Sequence, residues 1–184
     1  MIIIFNKIDL DSNNEIGRWI ELYGNMGYKV LGTSIFSDEG FSDLKNLCMN
    51  KKNIFWGQSG VGKSSLLNKL FPKLQLGTGQ VSRSTDKGLH TTVTSVLLKV
   101  EENTYVIDTP GIREIDPYGI RKEDLCHYFI EFGKFAEDCK FNTCTHHHEP
   151  GCMVINAVEN QEISFERYDS YLRILDTIEE DIIF

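Results

Sequence analysis

The sequence predicts an α/β fold with a parallel-rich sheet, followed by a small helical metal-binding domain. Three observations predict it. Short β-branched and aromatic runs alternate with segments of helical periodicity through the first part of the chain, the pattern of a parallel sheet with crossover helices. A glycine-rich loop, Gly57-Gln58-Ser59-Gly60-Val61-Gly62-Lys63-Ser64, sits between one such run and one such segment. The stretch Cys139–Cys152 is too polar and too rich in cysteine and histidine to continue either pattern. The expected division is 1–133 for the α/β domain and 134–184 for the appendage.

The elements follow in order. Met1–Phe5 reads as a buried strand that leads into Asn6-Lys7-Ile8-Asp9. Glu15–Met26 carries Ile16, Trp19, Ile20 and Tyr23 at helical spacing on one face. Tyr28–Thr33 reads as a second strand, Phe41–Cys48 as a short helix and Asn53–Trp56 as a third strand. The glycine-rich loop then opens a helix from Lys63 to about Leu70. Gly77–Thr91 is polar and glycine-rich. Thr92–Val100 and Thr104–Ile107 read as a hairpin around Glu101-Glu102-Asn103, and Asp108-Thr109-Pro110-Gly111 follows directly. A helix is expected over 121–133. A last helix, roughly Ser164–Glu180, carries Tyr168, Tyr171, Leu172, Leu175 and Ile178.

The chain has 184 residues, enough for one sizeable core and a small appendage. Its 41% hydrophobic and 25% charged residues are ordinary for a globular protein. No apolar run reaches bilayer length, and Met1–Phe5 lacks the basic start and cleavage site of a signal peptide. A cytoplasmic location is therefore expected. The net charge of −8, from 19 basic and 27 acidic residues, argues against a broad basic nucleic-acid surface. The five cysteines are odd in number and three cluster near histidines, which favours a metal site over a disulfide framework.

Gly57–Ser64 has the form G-x-x-x-x-G-K-S. The glycines let successive backbone N–H groups turn toward a β-phosphate. Lys63 places a point charge on the β/γ oxygens, Ser64 offers a hydroxyl to Mg²⁺, and the helix that follows turns its positive end to the phosphates. Asp108, at the end of a strand, can hold Mg²⁺ through water, and the Gly111 N–H can meet a γ-phosphate.

Asn6–Asp9 has the form N-K-x-D. Guanine presents N1–H and N2–H₂ donors on one edge, and the Asp9 carboxylate can accept both. Adenine has no such pair, so this contact selects GTP over ATP. Asn6 would hold the loop, and the aliphatic stem of Lys7 would cover the ring. Thr33-Ser34-Ile35 follows a strand and can add backbone contacts to the base. In most GTP-binding proteins the phosphate loop precedes the base reader. Here the order is reversed, so the chain reads as a circularly permuted GTP-binding domain.

Cys139-x4-Cys144-x-His146-x5-Cys152 supplies three thiolates and an imidazole, a set suited to tetrahedral Zn²⁺ in a closed structural site. His147 and His148 compete with His146 on spacing alone. Cys48 and Cys126 read as apolar core residues.

These pieces, together with Gly88-Leu89-His90-Thr91-Thr92 and the Glu149-Pro150-Gly151-Cys152 ending, occur in one order over nearly the whole chain. In that order they resemble the circularly permuted, ribosome small-subunit-dependent GTPases (the RsgA family). The resemblance implies GTP hydrolysis with Mg²⁺ in late maturation of the small (30S) ribosomal subunit, slow alone and stimulated by the subunit. GTP or GDP and the subunit's 16S rRNA and proteins are the implied partners of a monomeric chain. It selects His146 as the zinc ligand, and it makes Gly77–Thr92 a switch segment with Thr91 or Thr92 on Mg²⁺ and the γ-phosphate. The implied nucleotide-binding set is Asn6, Lys7, Ile8, Asp9, Ser34, Gly57, Gln58, Ser59, Gly60, Val61, Gly62, Lys63, Ser64, Ser65, Asp108 and Gly111. Ser64, Thr92 and Asp108 are the Mg²⁺ ligands, and His90, Lys63 and Thr91 the catalytic residues.

Two departures qualify the resemblance. Members usually carry an OB-type RNA-binding barrel before the base reader, which here begins at residue 6, so weakened direct RNA binding is expected. Leu89 stands where a basic residue is common. In addition, Ile112 occupies the position after D-x-x-G where many GTPases use a glutamine to orient water. An aliphatic side chain cannot do this, so His90 becomes the candidate for that role. A non-catalytic nucleotide-binding module that docks through the zinc appendage is the alternative reading, and a P-loop ATPase a third.

Overall fold

The computed structural model describes residues 1–76, 96–108 and 119–178. His90, Thr91, Thr92, Gly111 and Ile112, and the side chain of Asp108, lie outside what is described. The chain divides into two compact units, Met1–Ile115 and Asp116–Phe184.

In the first unit β1 (Ile2–Asn6) pairs in parallel with β2 (Lys29–Thr33), from Ile2 against Lys29 to Asn6 against Thr33. Between them runs α1 (Glu15–Asn25), as a parallel crossover requires. Its first turn is capped by Asp11, whose carboxylate accepts from Glu15 N–H at 3.1 Å and Ile16 N–H at 2.8 Å. A helix α2 (Phe41–Cys48) leads to β3 (Lys52–Ile54), then the glycine-rich loop and α3 (Lys63–Leu70). β4 (Val96–Glu101) and β5 (Thr104–Asp108) form the expected antiparallel hairpin, and β5 also pairs in parallel with β3. The strand alternation predicts one sheet. Among the described residues there are two, β1-β2 and β3-β5-β4. They share one core, because Ile4 and Leu31 pack with Leu66, Leu67 and Leu70 of α3, Leu44 and Cys48 of α2, and Val106 of β5.

In the second unit, α4 (Gly133–Ala136), α5 (Met153–Glu159) and α6 (Phe165–Thr177) surround a separate core. The helix expected over 121–133 is not continuous: Lys122–Tyr128 is 3-10 helix and α4 begins only at Gly133. The helical ladder breaks at Phe129, whose backbone is extended, and Phe129, Phe132 and Phe135 N–H each bond three residues back, at 3.0, 2.9 and 2.9 Å, as successive tight turns. This puts Phe129 and Phe132 into the core of the second unit. The segment expected to close the α/β domain therefore packs with the appendage. Phe132 and Tyr171 lie 4.9 Å apart and Phe129 and Tyr171 5.1 Å, and α6 buries Tyr168, Tyr171 and Leu175 at helical spacing. Arg167 bonds Glu131 at 2.6 Å and covers the Phe129 ring.

Candidate functional site

The two loops that end β1 and β3 are tied together. Asn6 Nδ2 donates to Val61 O at 2.9 Å, and Lys7 Nζ donates to Gly60 O at 2.7 Å, across a separation of more than fifty residues. Lys7 itself takes a left-handed backbone, with φ of 65°. This is uncommon for a residue with a side chain and turns the chain sharply as it leaves the strand.

A buried pair behind the loop fixes its polar side chains. Thr33 and Ser34, at the end of β2, are fully buried. Thr33 Oγ1 donates to Asn6 Oδ1 at 3.1 Å, so the Asn6 amide is held from both sides and its Nδ2 is aimed at Val61. Ser34 Oγ donates to the Asp9 carboxylate and accepts from Phe36 N–H at 3.1 Å. Asp9 itself is exposed, so the residue remains accessible to an incoming donor pair. Sequence reasoning placed backbone contacts to the base at Ser34. In the structure its side chain holds Asp9, and Thr33 holds Asn6. The signal for both was the pair of short hydroxyl residues where β2 ends.

Gly62 shows why the phosphate loop admits no larger residue there. Its φ is +94°, and a Cβ added to it would meet Asn6 Nδ2 at 2.5 Å. Gly62 is also the residue from which α3 starts, so Lys63, Ser64 and Ser65 occupy its first turn with N–H groups toward the loop. Lys63 Nζ lies over the loop and donates to Gly57 O and, at 2.8 Å, to Gln58 O. Asn6–Asp9, Ser34 and Gly57–Ser65 are thus one connected cluster at the C-terminal ends of β1, β2 and β3.

In the second unit Cys139, Cys144, His146 and Cys152 converge, with one donor atom from each within 4.8 Å of all the others. Cys139 Sγ is 3.6 Å from His146 Nδ1 and 3.9 Å from Cys152 Sγ, and His146 Nδ1 is 3.4 Å from Cys152 Sγ. His146 is buried, whereas His147 and His148 are exposed, which separates the three candidates by burial. Backbone N–H groups point at the sulfurs: Met153 N–H at Cys139 and Ile155 N–H at Cys152, at 3.3 and 3.4 Å. Burial pushes the Cys144 thiol up to about 12. Only a cation among the four donors makes thiolates favourable in such a place. The group could hold a metal ion.

The loop that presents His146 is braced by Glu149. Its carboxylate accepts from Thr145 N–H at 2.7 Å, Thr145 Oγ1 at 2.5 Å, His147 N–H at 3.0 Å and His148 N–H at 3.1 Å. Burial disfavours its charge, but these hydrogen bonds outweigh burial and hold the carboxyl down to about 2. From the other side Tyr168 donates to His146 O at 2.8 Å and Tyr171 to Thr145 O at 2.7 Å. Neither brace was read from sequence. Tyr168 and Tyr171 were legible only as core.

The sequence pattern of the family described as RsgA GTPase matches residues 1–118. The chain belongs to the RsgA GTPase family. The small ribosomal subunit biogenesis GTPase RsgA of Chlorobaculum parvum is 42% identical over 180 residues, covering 98% of this chain and 58% of that protein. Its counterpart in Caldanaerobacter subterraneus is 40% identical and covers 97% and 60%. Among solved structures, YjeQ from Thermotoga maritima superposes with a TM-score of 0.75 at 37% identity, covering 95% of this chain and 58% of that one. YloQ, described as a circularly permuted GTPase, gives 0.72 at 30% identity, with 97% and 58% covered. The chain spans just under three fifths of the length of these structures. The reversed order of base reader and phosphate loop is thus that of a permuted GTPase fold.

Proposed function

We propose that this chain binds guanine nucleotide across Asn6–Asp9 and Gly57–Ser65, hydrolyses GTP with Mg²⁺, and serves the biogenesis of the small ribosomal subunit. The observation that carries the reading is the pair of hydrogen bonds from Asn6 and Lys7 to Val61 and Gly60, which fixes a base reader at one distance from a phosphate cradle. Asp9, oriented by Ser34, accepts the guanine N1–H and N2–H₂ donors. Lys7 covers the ring with its stem. The N–H groups at the start of α3 and the Lys63 ammonium bind phosphate. Lys63 leaves the carbonyls of Gly57 and Gln58 for the β/γ oxygens when nucleotide enters. Ser64, Thr92 and Asp108 would carry Mg²⁺, which neutralises charge on the transferred group. His90 and Thr91 complete the catalytic set.

The ion in the second unit is Zn²⁺ in a structural role. Bonds of about 2.3 Å to sulfur and about 2.0–2.1 Å to nitrogen at tetrahedral angles require donors about 3.8 Å apart for two sulfurs and about 3.6 Å for sulfur and nitrogen. The separations of 3.9, 3.6 and 3.4 Å fit that requirement. Four protein donors leave no position for a catalytic water.

Phosphate release from GTP, measured with and without purified small ribosomal subunits, tests the activity. Slow turnover that the subunit stimulates is expected. Tight GDP and GTP binding with no release under either condition would establish the second reading, a non-catalytic nucleotide-binding module, which Ile112 in place of a water-orienting glutamine favours. Preference for ATP in competition would overturn the base assignment.

A further inference from the structure

A single side chain near the end of α3 holds the loop on which Ser34 stands. Lys69 lies in the last turn of α3. Its Nζ donates to Ile35 O and pairs with the Asp38 carboxylate, and it sits 4.6 Å from the centre of the Phe41 ring. These partners all belong to 35–41, where the chain passes from β2 into α2.

That segment needs an anchor. Its own backbone bonds are long, with Ser34 N–H to Glu39 O and Phe41 N–H to Asp38 O both at 3.4 Å. Asp38 takes a left-handed backbone at a φ of 58°, uncommon for a residue with a side chain, and residues 36–39 are exposed. Yet this segment decides where the Ser34 hydroxyl points. Ser34 Oγ accepts from Phe36 N–H at 3.1 Å and from Ser37 N–H at 3.4 Å. Those two bonds occupy both of its lone pairs and turn its one O–H to the Asp9 carboxylate. The hold on Asp9 therefore depends on where residues 36 and 37 stand.

We propose that Lys69 is a positioning residue for guanine recognition. From α3 it pins Ile35 O, which keeps the Phe36 and Ser37 amides on Ser34 Oγ and so keeps Asp9 in place. The inference rests on the proposed reading of Asp9 as the guanine acceptor. The Ile35 carbonyl is the partner that matters, because the Asp38 side chain is 79% exposed and water screens its ion pair. The same helix starts on the phosphate loop and ends on the loop behind the base reader, so α3 spaces the two from one side. The Asn6–Val61 and Lys7–Gly60 bonds space them from the other. Asn6 and Lys7 thus have anchors of their own, and the loss of Lys69 falls on Asp9.

Lys69→Met keeps an aliphatic stem on Phe41 and a good helix former in α3 but removes the donor. Affinities of the full chain for GDP and ADP are measured, ADP reading the phosphate loop without the guanine edge. GDP affinity should fall by about fivefold with ADP unchanged, a part of the roughly tenfold or more that a hydrogen bond from a charged donor is worth. In an Asp9→Asn background the same substitution should change GDP affinity by less than about twofold, since Lys69 acts only through Asp9. In the nucleotide-free chain the Phe36 amide should exchange at least about threefold faster in Lys69→Met. Lys69→Gln, a neutral side chain one bond shorter, should repeat each result and stands in if the methionine variant melts early. An equal loss for GDP and ADP, a full GDP loss that persists beside Asp9→Asn, or an unchanged Phe36 amide would each overturn the proposal. A preference for GDP kept alike by wild type and Lys69→Met would sink the Lys69 proposal alone. Wild type that binds GDP no better than ADP would instead sink the guanine reading, and the Phe36 amide would still decide whether Lys69 holds the loop.

Discussion

Replacing Cys144 by serine should unfold the second unit while leaving the first intact. The structure sets two terms against each other. The aromatic core is real: Phe129, Phe132 and Tyr171 are mutually in contact, at 5.2, 5.1 and 4.9 Å between ring centres. At about 0.5–1.5 kcal/mol per pair beyond area burial, these three contacts contribute about 2–4 kcal/mol, and the core of a unit this small rarely leaves more than about 3–5 kcal/mol in total. A structural zinc site contributes about 10–16 kcal/mol in comparable small domains. Losing half of that, about 5–8 kcal/mol, already matches or exceeds what the core holds in reserve. The substitution also strands half-buried Cys139 and buried His146 and Cys152 around a missing ligand. The assay is metal content together with hydrogen exchange across 119–178. We expect wild type to carry one zinc per chain and Cys144→Ser to carry none, with α5 and α6 exchanging freely and the amides of α3 still protected. Chelation of wild type should give the same pattern. If α5 and α6 kept their protection in the variant or after chelation, the aromatic core and not the metal would be what holds the unit.

Three further outcomes follow from single contacts. Asp9→Asn should abolish the preference for GTP over ATP in a competition assay, weakening GTP binding by about 1.5–3 kcal/mol, the size of hydrogen bonds to a charged group, while an equal loss for both nucleotides would remove Asp9 from base recognition. Gly62→Ala must push Asn6 away from Val61, because its Cβ would lie 2.5 Å from Nδ2 at a φ of +94°; nucleotide affinity should fall by tenfold or more (about 1.4 kcal/mol or above) with the second unit's melting unchanged. Glu149 is held down to about 2, so its contribution to the second unit is complete above the ordinary carboxylate range near 4.5 and is lost as pH falls toward 2. Glu149→Gln should therefore flatten the acid side of that unit's stability profile, and an unchanged profile would deny Glu149 its bracing role.

What the sequence could and could not disclose follows from how local each cause is. The phosphate loop, base reader and cysteine set are fixed-offset patterns whose chemistry is carried by the named side chains. The helices α1 and α6 were legible from their apolar residues at helical spacing, a local property, and α3 because a phosphate loop opens a helix. The brace residues were not. Thr33 and Ser34 acquire their function only when β1 and β2 pair in register, which brings Asn6 opposite Thr33, and no spacing along the chain announces that pairing. Tyr168 and Tyr171 look like core at any spacing, and only the fold brings their hydroxyls to the carbonyls of His146 and Thr145. The helix expected over 121–133 fails for a tertiary reason: the backbone is extended at Phe129, and Phe129 and Phe132 pack against Tyr171 of α6, a contact that no spacing along the segment announces.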